Sequence, residues 1–96
     1  PKPGEGPSAK EQAEGSFELR FFGTTIGGKK VAVKISGDGD PGYASTAKML
    51  SQAAVSLALD ISNAEKAGGF WTTATVFDGR LVERLEKYAE MNFEAL

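Results

Sequence analysis

The sequence predicts an α+β fold, a two-layer arrangement with a mostly antiparallel sheet and two helices in the order β-β-α-α-β. Three observations carry this. Alternating stretches flank Ile26-Gly27-Gly28-Lys29, a hairpin pattern. Two stretches with helical spacing follow, from Ala47 to about Asp60 and from Thr75 to Tyr88. Residues 91–96, MNFEAL, alternate again, as a short strand returning to the sheet would.

Residues 1–15, PKPGEGPSAKEQAEG, carry almost no apolar side chains. Such a stretch cannot bury enough surface to offset its ordering entropy, so it reads as a flexible linker. In SFELRFFGTT, Phe17, Leu19 and Phe21 share one face and Glu18, Arg20 and Phe22 the other. In KVAVKIS, Val31, Val33 and Ile35 share a face. A two-residue Gly-Gly loop sets inward side chains against outward ones. An odd loop over residues 26–28 instead pairs Phe21 with Val33 and Leu19 with Ile35. It places Gly28 in the left-handed region and Arg20 opposite Lys34, a mild like-charge cost. Phe22 is then an aromatic on the outer face. It reads either as surface scatter or as a contact to a partner.

Residues 37–60 organise the rest. Asp40-Pro41-Gly42 is strong turn chemistry. Ser45 and Thr46 offer hydroxyls suited to capping a helix start. Ala47, Leu50, Ala54, Leu57, Ala58 and Ile61 fall on one broad face, and Lys48, Gln52, Ser56 and Asp60 on the other. Val55, Leu59 and Met49 intrude on the polar side. This surplus predicts a helix covered on more than one flank, one of them the sheet. Beyond it, Phe70 and Trp71 are expected to pack, and Thr72 or Thr73 to cap the second helix. Its apolar stripe is Phe77, Leu81, Leu85 and Tyr88. Gly79 within it costs about 1 kcal/mol relative to Ala, so its first turn is expected to be loose.

Ninety-six residues, 41% of them hydrophobic, make one domain with a modest core. A net charge of −2 lacks the basic footprint of a nucleic-acid binder. Lys48, Gln52 and Asp60 break the longest apolar run, so no membrane span is expected. There is no cysteine and no histidine, which excludes disulfides, thiolate zinc sites and Ser-His or Cys-His nucleophiles. The lack of cysteine fits a cytoplasmic protein.

Asp38-Gly39-Asp40 suggests a calcium loop, but the position that needs glutamate falls on Met49 or Ser51. No metal site is expected. GDGDPG matches G-x-G-x-x-G literally. Yet Pro41 removes an N–H, Asp38 and Asp40 would oppose phosphate, and no βαβ unit follows. Tyr43, Ser45, Thr46 and Lys48 gather at the helix start. They read as capping plus a solvated lysine, or as a rim near a substrate or cofactor held mainly elsewhere. Phe22, Val55 and Leu59 are the interface candidates. No acid–base pair or nucleophile set stands out.

GDPGYASTAKMLSQAAVSLALD, then GGFWTTATVFDGRLVERLEKY and a closing MNFE, resemble the C-terminal region of the saccharopine dehydrogenase-like oxidoreductases. That group includes the bacterial trans-acting enoyl reductases. The likeness covers nearly the whole chain. One departure is Thr73, where the family often has proline. The resemblance implies that residues 16–96 are a C-terminal α+β domain fragment of a larger protein, a reading in keeping with a chain that begins at Pro1. An N-terminal Rossmann domain would bind NAD or NADP. This segment would bind no cofactor, shape the substrate cleft, and contribute to a homodimer. No catalytic residue carries over. A self-standing interaction or dimerisation module is the alternative.

Overall fold

The computed structural model describes residues 2–96. Its elements are α1 (Ala9–Glu14), β1 (Ser16–Thr24), β2 (Lys30–Asp38), α2 (Ala44–Leu59), α3 (Thr73–Phe77), α4 (Arg80–Tyr88) and β3 (Met91–Ala95). The strands form one antiparallel sheet in the order β1-β2-β3. The α+β class and the central β-β-α-α-β order are those the sequence predicts.

The hairpin takes the odd loop. Phe21 pairs with Val33, Leu19 with Ile35 and Arg20 with Lys34. Gly28 has φ +83°, a conformation that is free for glycine alone. The Thr25 N–H donates to the Lys29 carbonyl (2.9 Å), and the Gly28 N–H donates back to Thr25 (2.9 Å). The like-charge pair is defused because each cation has its own acid. Arg20 meets Glu18 at 2.7 Å, and Lys34 meets Glu94 on β3 at 2.9 Å.

Three local features depart from the sequence reading. A short helix, α1, forms within the linker-like stretch. Its cause is a capping box: Ser8 Oγ accepts from the Glu11 N–H, and the Glu11 carboxylate accepts from the Ser8 N–H (2.8 Å). The second helix is split. Thr72 caps α3 through a box with Thr75, but Asp78 at φ +51° and Gly79 separate α3 from α4. Phe70 is fully exposed rather than packed, and Trp71 half-exposed, with its Nε1–H donating to the Ala67 carbonyl (2.9 Å).

Leu85, Ala89 and Met91 form the core, with Phe17, Ile35, Met49, Leu81 and Phe93 packed against it. Against this core α2 presents Met49 flanked by polar and small residues. Ser45 and Ser56 are buried, whereas Leu50 is 71% and Leu57 52% exposed. The sequence reading put the sheet on one flank of this helix; the flank it turns inward is the one with serine, glutamine and aspartate. Arg84 on α4 explains the choice. Its guanidinium grips the Asp60 carboxylate through two nitrogens (Nη2 to Oδ1 3.0 Å) and donates to Gln52 Oε1 (3.2 Å). A bidentate, charge-assisted pair is both strong and directional. Ala53 and Ser56, between its anchors, are small enough to let the helices approach.

Hydrogen bonding from Arg84 holds the Asp60 carboxyl at about 2, against an ordinary value of 3.8. A depressed folded-state pKa contributes stability that is complete above the ordinary value and is lost as pH falls toward the depressed one. Asp60→Asn is therefore expected to lower the urea midpoint at neutral pH, and its deficit relative to the unsubstituted chain should shrink between about pH 4 and pH 2. Urea titrations at several pH values check this; a deficit independent of pH contradicts it.

Candidate functional site

The candidate residues sit where the Gly-Asp turn enters α2. Gly39 lies at φ +84° and turns the chain. The Asp40 carboxylate then accepts from three backbone donors, the N–H groups of Gly42 (3.0 Å), Tyr43 (2.8 Å) and Ala44 (2.9 Å). These bonds, the one from Ala44 foremost, lower its pKa below the usual carboxylate range. Asp40, not Ser45 or Thr46, satisfies the first N–H groups of this helix. An ionised carboxylate outcompetes a hydroxyl for the positive end of a helix dipole. It also fills the place a phosphate would take, so the literal G-x-G-x-x-G match describes a self-capped turn.

The two hydroxyls bond backward instead. Ser45 Oγ, 2% exposed, donates to the carbonyls of Asp38 (2.8 Å) and Gly39 (3.3 Å). Thr46 Oγ1 donates to the Pro41 carbonyl (2.6 Å). Lys48 pairs with Glu90, which precedes β3. Tyr43 is half-exposed, its ring against Gly6. The four candidates do not converge on one point: Ser45 is used inside the turn, Lys48 opens toward α1 and Glu90, and Thr46 opens on the other side. Phe22 is 78% exposed near the free end of the hairpin; Leu59 is largely and Val55 partly exposed along α2. Among the described residues, no three acidic side chains gather into a metal-holding cluster.

The feature that residue-by-residue reading missed is the hollow that Thr46 faces. It is an apolar groove of about 740 Å³ between the inner face of the sheet and α2. Leu19, Ile35 and Phe93 line one wall and Met49, Leu50 and Ala53 the other, with Leu81 and Leu85 at its base. Its signal in the sequence is the apolar surplus of residues 47–61. Apart from the hydroxyls of Thr46 and Thr73 its lining is apolar, so it offers shape and desolvation and no ionisable side chain.

The chain is related to the trans-acting enoyl reductases. It is 35% identical over 85 residues to the trans-acting enoyl reductase of Mycobacterium bovis and 34% identical to that of Mycobacterium ulcerans. A Mycobacterium tuberculosis protein provisionally given the same name is 36% identical over the same length. Each match covers 88% of this chain and 20% of the relative. The chain thus spans about a fifth of the length of the proteins it matches, and is homologous to one segment of an oxidoreductase. No family model and no solved structure matches it.

α1 and the turn are locked by main-chain bonds, Gly39 N–H to the Gly15 carbonyl (2.7 Å) and Asp40 N–H to that of Gln12 (3.1 Å). A Cβ on Gly15 would lie 2.7 Å from the backbone nitrogen of Asp40, which has no freedom to give way. Gly15→Ala is expected to cost about 1–3 kcal/mol. Gly68→Ala, with open space around it, should stay within about 0.5 kcal/mol of the parent sequence. Equal costs in chemical denaturation would refute the lock.

Proposed function

We propose that this chain is the C-terminal, substrate-cleft and dimerisation segment of an NAD(P)-dependent oxidoreductase of the saccharopine dehydrogenase-like kind, inactive alone. The nicotinamide cofactor and the hydride chemistry belong to a Rossmann domain elsewhere in the longer protein. One observation carries the reading: a chain matching a fifth of its enoyl reductase relatives has an uncovered apolar groove and an uncovered apolar helix face. Contiguous apolar surface of this sort marks a place where something else sits. Within this reading Thr46, on the groove, has the strongest claim to lie near substrate. Tyr43 and Lys48 would belong to the rim, and Ser45 would support the turn.

No helix among the described residues is long and apolar enough to cross a membrane. We take the parent enzyme to work in the cytoplasm, in keeping with a chain free of cysteine. A second reading, a self-standing interaction module, draws on exposed Phe22, Val55 and Leu59.

Calorimetry separates the two. On the first reading the 96-residue chain gives no binding heat with NADPH, whereas the longer protein that contains it binds NADPH and loses that affinity when its upstream domain is removed. Tight binding of NADPH by the 96-residue chain contradicts the division of labour. A longer protein without nicotinamide affinity favours the module.

A further inference from the structure

Among the described residues β1 is an edge strand, with no strand paired on its outer side. Thr25 bonds Lys29 across the hairpin, and antiparallel residues alternate between facing the neighbour and facing away. The odd residues of β1 therefore address β2. The N–H and C=O groups of Ser16, Glu18, Arg20, Phe22 and Thr24 point out along the free edge. Natural edges of this length are blunted by proline, a bulge or an inward charge. Here all nine residues pair with β2 in unbroken register, none is proline, and Leu19 and Phe21 on the inner face are half-exposed.

We propose that this edge pairs antiparallel with β1 of a second copy, about a twofold axis at Leu19. The charges choose both the partner and the register. Glu18 and Arg20 lie two residues apart on one face, 2.7 Å from each other, so the edge is complementary to itself. With Leu19 opposite the partner's Leu19, Glu18 stands opposite the partner's Arg20, and Arg20 opposite the partner's Glu18. Both are outward-bonding positions, so main-chain bonds and ion pairs form together. On the inner face Phe17 meets the partner's Phe21. Shifting the axis by one residue either way sets Glu18 against Glu18 or Arg20 against Arg20, which is unfavourable for directly opposed residues. A shift to Phe21 leaves Glu18 opposite threonine and gives up the ion pairs. The result joins the two sheets into one continuous sheet and gives the half-exposed Leu19 and Phe21 of each copy an apolar cross-strand neighbour.

This deepens the dimerisation half of the proposed function and is independent of its nicotinamide half, because NADPH titration does not depend on the edge. Sedimentation equilibrium of the 96-residue chain tests it. The chain is expected to sediment at twice its own mass. Glu18→Arg, and separately Arg20→Glu, should weaken association at least tenfold, and the double exchange E18R/R20E should restore it. Both side chains are exposed, so the single variants keep the fold, as circular dichroism would record. The chain has no cysteine, so Leu19→Cys reports the axis directly: opposed residues at a non-bonded position lie within disulfide reach. Mild oxidation should link Cys-substituted Leu19 faster than Cys-substituted Phe21. A monomer, a double exchange without recovery, or faster linkage at position 21 overturns the proposal.

Discussion

The grip of Arg84 on Asp60 and Gln52 is the contact on which the rest depends. It joins α4 to α2 across residues far apart in sequence, with both charged side chains mostly shielded. Breaking a shielded pair by removing one partner leaves the other uncompensated, which is costly. The grip therefore decides which flank of α2 turns inward. Once Asp60, Ser56 and Gln52 face α4, helical geometry turns Leu50 aside, toward the open groove, and leaves Leu57 exposed. Leaving such side chains in water forgoes about 1.5–3 kcal/mol each. The small core of Leu85, Ala89 and Met91 is the counterpart of the same choice.

Much of the sheet is legible in the sequence, because strand periodicity is short and unambiguous. Matching the faces of Leu19 and Phe21 to those of Ile35 and Val33 selects the hairpin loop, and it demands glycine at position 28. The orientation of α2 is not legible in the same way. Amphipathic reading assumes that the apolar flank goes inward, and the residue that reverses it, Arg84, lies in another helix. The break at Asp78 and Gly79 has a visible cause, but the cost of a mid-helix glycine does not by itself say whether a helix loosens or ends. At the candidate site the residue types point to a polar helix start, which the structure has. The roles within it differ because the Asp40 carboxylate takes the N–H groups, leaving Ser45 and Thr46 to bond carbonyls behind them.

The same geometry links fold to function. α2 stands off from the sheet because its inward contacts go to α4, and the space left between helix and strands is the apolar groove. The hairpin extends past β3, so the outer parts of its inner face continue that groove into solvent. A polar clamp on one side of a helix and an unfilled apolar surface on the other suit a segment whose remaining contacts come from a larger protein. The relationship to one fifth of the trans-acting enoyl reductases is in keeping with that arrangement.

The most direct test of the central claim is a comparison of two adjacent positions on α2, followed by urea denaturation of the 96-residue chain. Leu57→Glu, on the outward flank, should leave stability within about 0.5 kcal/mol of the parent. Ser56→Leu, on the inward flank, should cost about 1–3 kcal/mol through overpacking against α4. A tolerated leucine at 56 together with a damaging glutamate at 57 would mean that the helix faces the other way.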